Sequence, residues 1–257
     1  MVELRQLTTG YHTSGNDTII SQSLNAKLSE GELTCLIGPN GAGKSTLLRT
    51  IAGFQPAIRG EVYVGGTEIA SFSPNQLSKT ISIVLTDNAQ IHNLSVFEVV
   101  AMGRMPHTGF WGRLNENDRM IVTDCLEMVG ISHLSNHMIE TLSDGERQKA
   151  MIAKAIAQQT PIILLDEPTA FLYYPNKVNT MLLLRRLAHE MHKTILLSIH
   201  DIDLALQTAD NIWLMNHCSQ LTTGTPKQLC EQGIIQKEIC SEYIDFDATH
   251  CTFHAKL

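Results

Sequence analysis

The chain has 257 residues, 43% hydrophobic and 18% charged, enough to bury a substantial core in one large domain or in a domain with an inserted subdomain. Nineteen basic against twenty-six acidic residues give a net charge of -7, which argues against a long electrostatic footprint on nucleic acid. Six cysteines, at positions 35, 125, 218, 230, 240 and 251, include no C-x-x-C pair and read as reduced thiols. The stretch from Met1 to Arg5 lacks the apolar core of a signal peptide, and no apolar run approaches the roughly 20 residues that span a bilayer, so any membrane role is expected to be peripheral.

In chain order, the first strong strand is Leu33 to Ile37, almost wholly apolar and therefore suited to a parallel sheet covered on both faces. A helical pattern follows at Thr46 to Ala52, then a strand at Thr80 to Leu85. Between Asp87 and Gln159 the pattern becomes helical, with helices expected at Ser95 to Met102, Glu116 to Val129 and Asp144 to Gln158. Strands return at Ile162 to Asp166, Thr194 to Ile199 and Asn211 to Met215. A helix is expected near Pro226 to Cys240, and the tail to Leu257 has no clear pattern. Alternating strands and helices predict an α/β protein with a mostly parallel sheet.

Gly38, Pro39, Asn40, Gly41, Ala42, Gly43, Lys44, Ser45 and Thr46 match G-x-x-x-x-G-K-[ST] in full, directly after a strand and directly before a helix. Glycines at 38, 41 and 43 let the backbone curl so that successive N–H groups point inward, and the helix N-terminus adds partial positive charge. Lys44 supplies a mobile cation for the β and γ phosphates, and the Ser45 hydroxyl suits Mg²⁺. Further along, Asp166 and Glu167 stand at the end of an apolar strand, where open parallel sheets place ligand-facing residues. Asp166 is expected to hold the Mg²⁺ shell and Glu167 to orient and polarise the attacking water. His200, after another strand, can donate to the γ-phosphate. His250, Cys251 and His254 lack a fourth ligand and are assigned no metal.

With these residues in order from Tyr11 through His200, the chain resembles the ATP-binding subunits of ABC transporters. The discriminating stretch is Leu142-Ser-Asp-Gly-Glu-Arg-Gln-Lys149, although Ser143-x-x-Glu146 also reads as a capping box opening a helix. The resemblance implies a phosphate-loop NTPase core with an N-terminal antiparallel β portion, one nucleotide-binding domain over 1–257, and a helical subdomain at 87–159. It also implies ATP and Mg²⁺ held between two copies of the chain, with Ser143 and Gly145 acting across that interface. Tyr11 corresponds to the aromatic that stacks on adenine, Asp166 and Glu167 to the Mg²⁺-binding and catalytic carboxylates, and His200 to the switch histidine.

The stretch Val99 to Thr108 and the Glu146 to Lys149 ending resemble the subgroup serving iron-siderophore, haem and cobalamin importers. The implied partners are a second copy, a transmembrane permease and, indirectly, an external substrate-binding protein, at the cytoplasmic face of the inner membrane. Three positions depart from the pattern. Thr86 stands where a glutamine usually reaches the Mg²⁺, Asp144 where the signature has a second glycine, and Tyr173 where an aspartate links the two subunits. Two other readings remain open at this point: a weakly active nucleotide-sensing module, and a soluble ABC protein not engaged in transport.

Overall fold

The computed structural model describes residues 1–13, 16–85, 91–109, 111–170, 172–240, 244–247 and 251–256. They form two compact units, Met1–Ser71 with Leu184–Leu257, and Phe72–Leu183.

The first unit begins with an antiparallel sheet in the order β2-β1-β4-β5, built from β1 (Val2–Thr13), β2 (Asn16–Leu28), β4 (Arg59–Val64) and β5 (Thr67–Glu68). Alternating exposed and buried positions along Leu24 to Leu28 give this sheet one covered face, the pattern of a half-buried antiparallel sheet. Register shifts between Leu4 and Gly10 add local bends in β1. The same unit holds three parallel strands, β3 (Leu33–Ile37) between β8 (Thr194–Ser198) and β9 (Asn211–Met215). A further strand, β10 (Leu221–Gly224), runs antiparallel on β9. Every residue of β3 and β8 is buried, as their continuous apolar runs require. Burying one such Leu or Ile side chain is worth roughly 1.5 to 3 kcal/mol.

Two helices of the first unit bear on the site, α1 (Lys44–Ile51) and α7 (Ile202–Thr208). The helix expected near Pro226 to Cys240 is divided into α8 (Pro226–Glu231) and α9 (Ile234–Ile239), because Gly233 takes φ 68, a left-handed conformation that no helix interior accommodates. The tail folds back as a hairpin of β11 (Ile244–Asp247) and β12 (Thr252–Ala255).

The second unit carries two parallel strands, β6 (Ile81–Val84) and β7 (Ile162–Leu165). Around them lie α2 (Pro74–Thr80), α3 (Val96–Ala101), α4 (Glu116–Met128) and α5 (Asp144–Ala157). All four helices open on a capping box, from Ser73, Ser95, Asn115 and Ser143. Val96, Val99 and Val100 of α3, Val122 and Leu126 of α4, and Ala150 and Ala153 of α5 are buried where these three helices pack together.

A 3-10 turn at Met102–His107 continues α3 and is pinned by a buried cation. Arg104 donates from Nε to Asp118 Oδ1 at 2.9 Å, and from Nη1 to the Ala157 carbonyl at 2.7 Å and Gln159 Oε1 at 2.9 Å. Gly103 lies so close to α5 that an added Cβ would stand 2.2 Å from the Lys154 carbonyl oxygen. The long α6 (Tyr174–Met191), which carries the chain from the second unit into the first, was not expected from the sequence pattern. It buries Thr180, Met181, Leu184, Leu187 and Ala188, the spacing of one helical face. Among the described residues no helix is long and apolar enough to cross a membrane.

Candidate functional site: a phosphate-binding cradle and a pair of carboxylates

The cradle follows from where β3 ends. Ile37 is the last residue of a buried central strand, and the chain must turn sharply before α1 begins at Lys44. Gly38 makes that turn at φ 149, with the Met215 carbonyl oxygen 2.2 Å from where a Cβ would sit, so a side chain fails there on both conformation and space. Gly43 caps α1 at φ 98, and a Cβ on it would stand 2.5 Å from Ile20 Cγ2. Lys44 folds back over the loop, donating from Nζ to the Gly38 carbonyl at 2.8 Å and the Pro39 carbonyl at 3.0 Å.

The N-terminus of α1 receives no side-chain cap, whereas α2 to α5 and α8 are all closed by capping boxes. A helix end that opens on glycines, with a lysine ammonium folded over the preceding loop, fits a phosphate chain. The cradle offers backbone N–H groups and one ammonium as donors, and its lining leaves no room for side chains at 38 or 43.

Tyr11 lies near the end of β1, half exposed, and its hydroxyl is 3.2 Å from Thr46 Oγ1 in α1. Gln55, just beyond α1, donates from Nε2 to the Gly10 carbonyl, so two side-chain bonds tie this end of β1 to the cradle helix. His200 also belongs to this unit. In the parallel pairing Leu36 is the partner of Ser198, and Ile199 N–H donates to the Leu36 carbonyl at 3.2 Å. The cradle and His200 therefore leave the same carboxyl edge of adjacent strands, and His200 is exposed. The N-cap of α7 is Asp201, whose Oδ1 accepts from Leu204 N–H.

The carboxylates are placed by the second unit. Leu165 ends β7, and Asp166 N–H donates to the Val84 carbonyl of β6 at 2.8 Å, which leaves Asp166 buried at the carboxyl edge of this pair. Glu167 follows at φ 51, a left-handed conformation uncommon for a residue with a side chain and concentrated at functional sites. Ser143 caps α5, its Oγ accepting from Glu146 N–H at 3.4 Å and donating to Glu146 Oε2 at 2.6 Å, so the capping box read from the sequence is formed. The hydrogen bonds from Ser143 hold the Glu146 carboxyl below the usual carboxylate range. Gly145 faces Leu172, with 3.2 Å between an added Cβ and Leu172 Cδ2. Asp144 is exposed and bonded to Arg147, and Tyr173 is 78% exposed. Thr86 lies outside the described residues.

The family profile described as ABC transporter matches residues 21–170, more than half of the chain. The chain belongs to this family. An uncharacterized ABC transporter ATP-binding protein of Methanocaldococcus jannaschii is 40% identical over 245 residues, 95% of this chain and 81% of that protein. The iron(3+)-hydroxamate import ATP-binding protein of Bacillus subtilis is 36% identical over 232 residues, 90% of this chain and 85% of its own length. Among solved structures, a dimeric ATP-binding cassette in a post-hydrolysis state bound to ADP and Pi aligns with a TM-score of 0.78 at 27% identity, covering 88% of this chain and 99% of that one.

As an ABC transporter ATPase, the chain has an α/β fold with the N-terminal antiparallel sheet that the resemblance implied. The motif reading named the cradle's own residues but not those that support it. Met215 and Ile20, whose atoms close off Gly38 and Gly43, and Gln55, which anchors Gly10, carry no local signature because they are distant in sequence from the loop.

Proposed function

We propose that this ABC transporter protein binds and hydrolyses ATP as the motor subunit of an importer, closing as a pair of copies and so driving a separate membrane permease. The observation that carries the reading is the turn into α1, where Gly38 and Gly43 leave no room for a Cβ and Lys44 folds back over the loop. In this reading the backbone N–H groups from Gly41 to Thr46 and the Lys44 ammonium bind the phosphates, and Tyr11 stacks on the base.

Ser45 and Asp166 offer the hard oxygen donors that Mg²⁺ takes, with Thr86 a further expected contributor. Mg²⁺, when bound, compensates charge on the phosphate oxygens. Glu167 orients the attacking water and accepts its proton, while His200 donates to the terminal phosphate and distinguishes its presence from its absence. Ser143 and Gly145 at the start of α5 serve the nucleotide of the second copy, which makes a pair of chains the active unit.

The cargo class is iron-siderophore, haem or cobalamin, supported by the stretch from Val99 to Thr108 and by the likeness to the iron(3+)-hydroxamate import protein. The working location is then the cytoplasmic face of the membrane, held there by the permease. The test is Glu167→Gln in the isolated chain. It should retain ATP binding, accumulate an ATP-dependent dimer by light scattering, and lose at least a hundredfold in turnover. Unaltered turnover refutes the assignment. A wild-type chain and a Tyr173→Asp variant that both bind ATP without hydrolysing it would favour a sensor instead.

A further inference from the structure

Cys230 in α8 and Cys251 at the head of β12 are 21 residues apart in sequence, yet their Sγ atoms lie 2.9 Å from each other. Cys230 is buried and Cys251 half-buried, and neither is in a disulfide. Two thiolates sharing a tetrahedral metal at about 2.3 Å per bond would stand roughly 3.8 Å apart, so this spacing is that of sulfurs in direct contact. Among the described residues no group of three His, Cys, Asp or Glu side chains could hold a metal ion.

The hairpin carrying Cys251 rests on a functional element. Phe253 N–H donates to Asp203 Oδ1 at 3.2 Å, and the Phe253 ring packs on Phe246 with centroids 4.8 Å apart. Asp203 is in the first turn of α7, three residues after His200. Whatever fixes the hairpin therefore fixes a contact on the helix that His200 precedes.

We propose that Cys230 and Cys251 are a site of reversible disulfide modification, closed by a low-molecular-weight disulfide such as oxidised glutathione. The accessible sulfur reacts first. Cys251 loses its proton and its thiolate attacks one sulfur of the oxidant, whose S–S bond breaks and releases one glutathione thiolate, which takes up the proton. Cys230 then attacks the Cys251 sulfur of the mixed disulfide and releases the second glutathione, again with transfer of its proton. Two electrons pass from the pair to the oxidant, and two thiols leave. Burial, reinforced by the contact with Cys251, raises the Cys230 thiol above its ordinary range, which makes it the poorer first attacker; in the second step its 2.9 Å contact with the Cys251 sulfur offsets its low thiolate fraction. The bond staples the tail hairpin to α8 while Phe253 holds it to α7.

The experiment treats the full chain with oxidised glutathione, labels remaining thiols with a maleimide, and digests it for mass spectrometry. The expected result is near-complete loss of labelling at both Cys230 and Cys251, a linked peptide pair joining them, and recovery of both labels after dithiothreitol. Cys230→Ser should leave a persistent glutathione adduct on Cys251, because the second step has no nucleophile. Full labelling of both residues, an adduct on Cys251 without the linked pair in the unaltered chain, or linkage of either residue to another cysteine would overturn the proposal.

Discussion

The Tyr11 hydroxyl and Thr46 Oγ1, 35 residues apart in sequence, meet at 3.2 Å, joining the antiparallel sheet to the helix that follows the phosphate cradle. The contact fixes the half-exposed ring at one position relative to α1. If the ring stacks on the nucleotide base, Tyr11→Phe keeps the stacking surface and gives up only the hydroxyl bond. Nucleotide affinity should then change about twofold or less for Tyr11→Phe and fall about tenfold for Tyr11→Ala, consistent with roughly 1 to 3 kcal/mol for base stacking. Titration with a fluorescent ATP analogue separates the two.

Gly38→Ala should damage the cradle from beneath. The new Cβ would stand 2.2 Å from the Met215 carbonyl oxygen, and β9 cannot retreat without breaking its pairing with β3. We expect a loss of roughly 2 kcal/mol in urea unfolding, together with a fall of at least tenfold in ATP affinity.

Ser143 can be probed so that its two uses separate. Ser143→Asp keeps a strong N-cap on α5, so thermal stability should stay within about 1 kcal/mol of wild type, but it places a carboxylate where the proposed partner nucleotide presents phosphate. ATP-dependent dimerisation should be lost while ATP binding to the single chain persists. Retained dimerisation, read by size-exclusion chromatography with ATP, would leave Ser143 as a cap alone.

The buried pair of Arg104 and Asp118 should set acid stability in the second unit. Burial by itself pushes the Asp118 carboxyl up. The Arg104 hydrogen bond, the Asn115 N–H and the Arg104 charge outweigh it and hold the group below its ordinary value of 3.8. A carboxyl lowered on folding stabilises the folded chain above that ordinary value, and the contribution disappears as pH falls through the still lower folded value. Asp118→Asn should therefore flatten the decline of stability below about pH 4. Arg104→Met, which strands the carboxylate, should cost roughly 3 kcal/mol at neutral pH. Urea unfolding across pH reads both effects.

Much of this was legible in the sequence because the interactions responsible are local. A capping box spans four residues, so Ser143 and Glu146 announced the start of α5. The run Leu33 to Ile37 announced a strand buried on both faces, and the glycine spacing from Gly38 to Gly43 announced the curl before α1. By contrast, α6 was missed, because apolar residues off its buried face, Leu182 exposed and Leu183 half-buried, blur the helical period, so the face becomes recognisable only from what it covers. The helix expected over Pro226 to Cys240 was divided by Gly233, a residue that allows a left-handed turn without dictating one.

The glycine-rich turn into α1 and the buried strand ahead of Asp166 and Glu167 could be read without coordinates, since backbone conformation and hydrophobic periodicity act over a few residues. Which distant segments lean on one another was set by the fold as a whole. Met215 under Gly38, Ile20 under Gly43, Tyr11 against Thr46 and Cys230 against Cys251 are pairings between distant segments, and no local propensity encodes them. They exist because strand order and register bring those segments within bonding distance, a choice made by burying the whole apolar surface at once.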